Sequence, residues 1–255
     1  MQFARHFHFI FRAAAAARPH SASSFAPIRP LAAIPSFSRT MAQTAAQMRF
    51  SVRSSACASP PLFSTNQPPL FFGLFSLTQL RFFPAANSVV TTEKLLDFAA
   101  AASVPVRATT QTTAKLGATV PSVAAHLTTA PIDKTRFSMV VPEVVADLAP
   151  GSQIALVGIE AHICITQTAL DLRDAGHAVY VIADGVSSCN RQEVVVALDR
   201  LRAERGVVVT SSESWMYECL GDAGHPAFKP LITIVKGAGE NTKKVLDSLP
   251  PMPKI

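Results

Sequence analysis

The sequence predicts an α/β fold built on a mostly parallel sheet, and three observations carry that reading. Short apolar runs of strand length recur along the chain after residue 69, and segments with helical character lie between most of them. Most of the runs are apolar throughout rather than alternating, as strands buried on both faces are. The intervening segments are long enough for crossover helices, which places helices on both sides of the sheet in a three-layer sandwich. At 255 residues with 49% hydrophobic content the chain can bury a substantial core, and it reads as a single domain after a leader.

In chain order, a buried strand is expected at 70–77, a helix at 88–102, a second strand at 105–109 and a third at 154–158. A helix at 166–175, a strand at 178–182, a helix at 191–205 and a strand at 207–209 continue the alternation. Asn190 stands as the N-cap of the 191–205 helix with Glu193 three residues on, a variant of the capping box that satisfies free amides of the first turn. Ligands of such sheets bind outside the carboxyl ends of the strands. Cys164 and Asp184 both follow such ends.

Charge is divided unevenly. Residues 1–65 hold seven arginines, no lysine and no acidic residue, and the first acidic residue of the whole chain is Glu93. An arginine-bearing segment rich in Ala, Ser and Pro and free of acids has the composition of an organelle transit peptide, with mitochondria favoured. A disordered basic tail or wrongly included upstream sequence is the other reading, and the protein is then expected in the cytoplasm. The expected organisation is a basic leader at 1–65, a folded domain at 70–236 and a tail at 237–255. Nucleic acid is not an expected partner: the folded part is nearly neutral, the arginines are scattered, and no RNA-binding or zinc spacing occurs. No membrane span is expected, because the longest apolar run, 69–77, is about half the length a helix needs to cross a bilayer. Cys57, Cys164, Cys189 and Cys219 lie far apart without a C-x-x-C pair, which indicates neither a zinc site nor a disulfide framework.

Cys164 is the position with the most chemical content. It sits in Val157-Gly158-Ile159-Glu160-Ala161-His162-Ile163-Cys164, after an apolar strand and before a helix. The positive end of a helix dipole favours thiolate over thiol, so a cysteine there is a possible nucleophile. A free cysteine is equally at home as a small buried hydrophobe. Position alone leaves both readings open.

Blocks that follow one another in order along the chain resemble the isochorismatase-like cysteine hydrolase family, in its eukaryotic isochorismatase domain-containing branch. They include Ile132-Asp133-Lys134-Thr135-Arg136-Phe137-Ser138, the stretch 157–168, Ala183-Asp184-Gly185-Val186-Ser187-Ser188 and Thr210-Ser211-Ser212-Glu213-Ser214. Further matches are Val104-Pro105-Val106, Thr109-Thr110-Gln111, Lys115-Leu116-Gly117-Ala118-Thr119-Val120-Pro121 and Gly221-Asp222-Ala223-Gly224-His225-Pro226. The resemblance runs from about Gln79 to Lys236 and implies a Rossmann-type sheet. It implies Cys164 as a nucleophile that attacks a small amide-like or related metabolite, and Lys134 as the ammonium that lowers the thiol pKa. It also implies a non-proline cis peptide at Ile159–Glu160, turning the amides of Glu160 and Cys164 toward an oxyanion. No cofactor and no metal is implied, since the Asp-x-His spacing of some metal-binding relatives is absent. Relatives commonly associate, so a homo-oligomer is expected.

The third family group is a carboxylate after the first strand, and its position falls on Leu77, which cannot accept a proton. Two explanations stand: a degenerate member with little activity, or a misassigned exon before Gln79. The first leads to an alternative function, a catalytically dead binding or scaffold protein. His162, two residues before the cysteine, is read as structural or substrate-lining. Asp184 and Ser187-Ser188 are read as loop caps, Trp215 with Met216 and Tyr217 as a core or subunit contact, and His225-Pro226 as a turn.

Overall fold

Six strands, β1 (Phe71–Phe75), β2 (Val106–Gln111), β3 (Ile132–Lys134), β4 (Gln153–Ile159), β5 (Ala178–Ser187) and β6 (Val207–Thr210), join in one all-parallel sheet. Their spatial order is β3-β2-β1-β4-β5-β6. These are features of a computed structural model that describes residues 71–75 and 85–249. The chain divides into units at 1–54 and 55–255, and every described residue lies in the second. The leader 1–65 and Leu77 lie outside the described residues.

The strand order is that of a doubly wound sheet, whose direction of growth reverses between β1 and β4. The crevice at that reversal, outside the strand carboxyl ends, is where such folds bind ligands. β4 and β5 explain why the sheet needs two covering layers. Ala155, Val157, Tyr180 and Ile182 enter one core cluster, and Ile154, Leu156, Val179 and Val181 enter the other. The period of two sends alternate side chains to opposite faces, and both faces are dry.

Helices α1 (Ala85–Ala101), α7 (Ser212–Leu220) and α8 (Phe228–Ser248) close the first face through Phe98, Trp215, Met216 and Leu231. Helices α5 (Thr166–Asp174) and α6 (Arg191–Arg202) close the second through Ala169, Leu172, Val194 and Leu201. The one-turn helices α2 (Thr113–Leu116), α3 (Pro121–Ala124) and α4 (Pro142–Val145) lie in the long connections after β2 and β3. The Asn190 side chain caps α6 as expected, accepting from the Gln192 amide.

Two expectations change. The tail placed at 237–255 is in large part the second half of α8, which packs on α1 through a hydrogen bond from buried Lys94 Nζ to Thr242 Oγ1 (2.9 Å) and one from Asn87 to Ser248 (2.7 Å). β5 continues five residues past 182, and its register against β4 shifts between Leu156 and Gly158. Gly185 permits this. A Cβ there would lie 2.7 Å from Val157 Cγ1 and 3.3 Å from Ile182 Cγ2. Gly185→Ala is therefore expected to destabilise the fold by about 1–3 kcal/mol, the range for overpacking a tight core, measured by urea unfolding.

Candidate functional site

The segment carrying Cys164 turns sharply at the end of β4. Gly158 (φ 139°) and Glu160 (φ 59°, ψ 64°) have positive φ, which for Glu160 is a conformation that non-glycine residues adopt at a cost of about 1–3 kcal/mol. A π-helical turn, Ala161–Ile165, follows and runs into α5. Such turns are rare and concentrate at functional sites. The Glu160 carbonyl accepts from the amides of Ile163 (3.0 Å), Cys164 (2.9 Å) and Ile165 (3.4 Å), which fixes the cysteine backbone to the strand end.

Two corrections follow. The expected cis peptide at Ile159–Glu160 is absent, since no described peptide bond is cis, and the left-handed backbone of Glu160 makes the turn instead. The Cys164 amide, expected to face an oxyanion, already donates to the Glu160 carbonyl.

Lys134 ends β3 in register with Gln111 at the end of β2. Its Nζ donates to Gln111 Oε1 (2.7 Å) and to the carbonyls of Arg136 (2.8 Å) and Phe137 (3.0 Å). An ammonium has three donors, so these bonds hold it at the sheet edge as a fixed charge. Lys134 is 5% exposed and Cys164 3% exposed. A single hydroxyl couples their two segments: Thr168 Oγ1 donates to the Cys164 carbonyl (2.6 Å) and accepts from the Met139 amide (2.9 Å) in the loop after Lys134.

The two groups act on each other electrostatically. Burial pushes the Cys164 thiol up to about 11, while the Lys134 ammonium pulls it down and the Glu160 carboxylate adds to the rise. Burial lowers Lys134 to about 8, opposed by Cys164 and Asp133. Loss of solvent outweighs the ammonium, so the Cys164 thiol stands above its ordinary range although Lys134 lowers it. Cys164, Cys189 and Cys219 are all free.

A second cluster lies beside the cysteine. His162 Nδ1 is 3.1 Å from Ser188 Oγ and 3.5 Å from Glu160 Oε2. The exposed Cys189 thiol is raised by burial first and by the charge and hydrogen bond of the same Glu160 carboxylate. Sequence reasoning treated His162 as lining and Ser188 as a cap, and it considered only the backbone of Glu160. Asp184 does cap: it accepts from the Ser212 amide (2.7 Å) and the Ser212 hydroxyl, which anchors α7. Gln111 was passed over as a site residue, although the last residue of a strand next to β3 was placed to meet Lys134. Among the described residues no His, Cys, Asp and Glu group could hold a metal ion, and no helix is long and apolar enough to cross a membrane.

Residues 75–214 match the family described as isochorismatase domain. The chain is 38% identical over 187 residues to the secreted isochorismatase effector Isc1 of Phytophthora sojae, covering 70% of this chain and 85% of that protein. It is 39% identical over 167 residues to isochorismatase domain-containing protein 1 of Salmo salar, covering 63% of this chain but only 59% of that one. Among solved structures it resembles the MAR1 ribonuclease of Caenorhabditis elegans, with a TM-score of 0.60 and 30% identity over 76% of this chain and 100% of that chain.

Proposed function

We propose that the chain, which belongs to the isochorismatase domain family, is a cysteine-dependent hydrolase of a small amide-like or related metabolite. The carrying observation is that Lys134 and Cys164 are both buried at the carboxyl edge of the sheet, on segments that Thr168 ties together. The sulfur attacks the carbonyl carbon, the carbon–nitrogen bond breaks, and the amine departs with a proton. Water then hydrolyses the thioester and returns the thiol. Lys134 supplies the positive charge that favours thiolate in the attacking state, and Thr168 keeps the two segments in register.

A second reading, a binding protein without turnover, is favoured by the raised thiol and by Leu77. Mass spectrometry of the chain incubated with small primary amides and activated esters separates the two. The hydrolase reading expects a transient acyl adduct on Cys164, lost in Cys164→Ser; slow or absent release with no adduct supports the binding protein. The ribonuclease name of the nematode neighbour makes RNA a further ligand to test. Salt-sensitive RNA binding that survives removal of residues 1–65 would turn the reading toward nucleic acid.

A further inference from the structure

The carboxyl edge of the sheet carries few acids, and one of them, Glu160, meets His162 and hydrogen-bonds Cys189 yet keeps a buried oxygen without a hydrogen bond. No acidic residue precedes Glu93, so none can come from the end of β1. Asp133 Oδ1 accepts from Thr110 Oγ1 (2.9 Å) and from the Thr113 amide (2.9 Å). Asp184 holds both the amide and the hydroxyl of Ser212. Glu160 differs. Its Oε2 is buried and has no hydrogen-bond partner among the described residues, with His162 Nδ1 at 3.5 Å, beyond a good hydrogen bond.

A buried carboxylate oxygen without a donor is left with the cost of its lost hydration. The left-handed backbone of Glu160 adds to that cost. The same residue gathers the amides of the turn that holds Cys164, so its carboxylate and the sulfur belong to one short structural unit. A negative charge beside a thiol opposes loss of its proton, and a ligand donor that neutralises that charge removes the opposition.

We propose that Glu160 is the substrate-selecting carboxylate: its Oε2 takes an N–H donor from the substrate, a cationic nitrogen above all, and this pairing permits Cys164 to ionise. The proton leaves the sulfur for solvent, and the thiolate then attacks. The substrate class is accordingly narrowed to amides that carry an ammonium, amidine or comparable N–H group near the scissile bond. His162, Cys189 and Lys134 are the other titratable groups in the cluster.

This inference rests on Cys164 being the nucleophile, so the test is read at Cys164 by peptide mass spectrometry in a Cys189→Ser background. The probes are iodoacetamide, cationic 2-aminoethyl methanethiosulfonate and anionic 2-sulfonatoethyl methanethiosulfonate. Glu160→Gln removes the charge at nearly constant shape. It is expected to speed iodoacetamide labelling at neutral pH about tenfold, one unit of thiol ionisation, and to cut the cation-to-anion rate ratio by about the same factor. Glu160→Gly also removes the charge while relieving the left-handed backbone, so it must give the same changes without loss of stability. Slower iodoacetamide labelling in either variant would make Glu160 a base for the thiol and overturn the proposal, as would unchanged rates. Cys164 labelled ahead of Cys219 yet indifferent to Glu160 sinks this inference alone; Cys164 inert in every background sinks the hydrolase reading with it.

Discussion

Lys134→Met is expected to slow alkylation of Cys164 by at least about tenfold at neutral pH, since one unit of thiol ionisation is a factor of ten in thiolate. The ammonium is the group that lowers a thiol already pushed up to about 11 by burial. Without it, the desolvation cost and the Glu160 charge act unopposed. The same substitution leaves a signature in stability against pH. Lys134 falls from 10.5 to about 8 on folding, so between those values the unfolded chain binds more protons and stability rises with pH. Cys164 rises from 9.0 to about 11, and there the folded chain binds more protons, so its contribution falls above pH 9. Cys164 titrates in both chains and largely cancels, so the difference in stability between native chain and Lys134→Met should climb from about pH 8 to 10.5 and level off above. Urea unfolding across that range measures it. A flat difference curve, or alkylation as fast as in the native chain, would separate Lys134 from the sulfur.

Iodoacetamide also orders the three described thiols by surroundings. In the native chain exposed Cys189 reacts first, because access decides it. Cys219, pushed well above the usual thiol range by burial, is expected to stay unmodified until the fold opens. The Cys189→Ser background therefore leaves Cys164 as the more reactive of the two remaining described thiols, and peptide mass spectrometry separates it from Cys57.

Much of this architecture was legible because its elements follow strong local rules. The runs at 154–158 and 178–182 are apolar on both faces and became the strands on which both core layers meet, while 207–209 became edge strand β6, which joins one layer and leaves Val208 exposed. Asn190 was legible because an N-cap needs only a short side chain and the amide two residues on. The stretch 112–152 was not, since α2, α3 and α4 are single turns of four residues, too short to show a period. The second half of α8 was taken for a tail, although neither its two glycines nor the Pro230 of its first half breaks the helix. Pro230 lies in its first turn, where the missing amide costs nothing, and both glycines face open space. At the site, Cys164 and Lys134 were legible from motifs. Their ionisation was not, because burial is a property of the packed layers and not of residue order. The turn at Glu160 was expected to rest on a cis bond and rests on a left-handed glutamate, a choice no periodicity reports.

Trp215→Ala is expected to remove about 3–5 kcal/mol of stability, the range for deleting a large aromatic side chain from a tight core. Trp215 is completely buried in α7 and meets Phe98 of α1 edge to face, with ring centroids 5.7 Å apart and planes at 80°. That geometry contributes beyond simple burial. Tyr217, two residues on and 40% exposed, supplies the control: Tyr217→Ala should change stability by within about 0.5 kcal/mol. Trp215 is the only tryptophan, so unfolding must be followed by circular dichroism rather than tryptophan fluorescence. The consequence reaches the site through α7. Ser211 caps that helix, and Ser212 is fixed on buried Asp184, three residues before the Ser187–Ser188 pair that ends with His162. A helix that no longer packs on Phe98 loosens its hold on Asp184. Trp215→Ala should accordingly raise hydrogen exchange at 184–188 as well as in α7, while Trp215→Phe, which keeps a ring against Phe98, should restore most of the protection. Loss of stability with unchanged exchange at 184–188 would show that the core and the site edge are energetically separate.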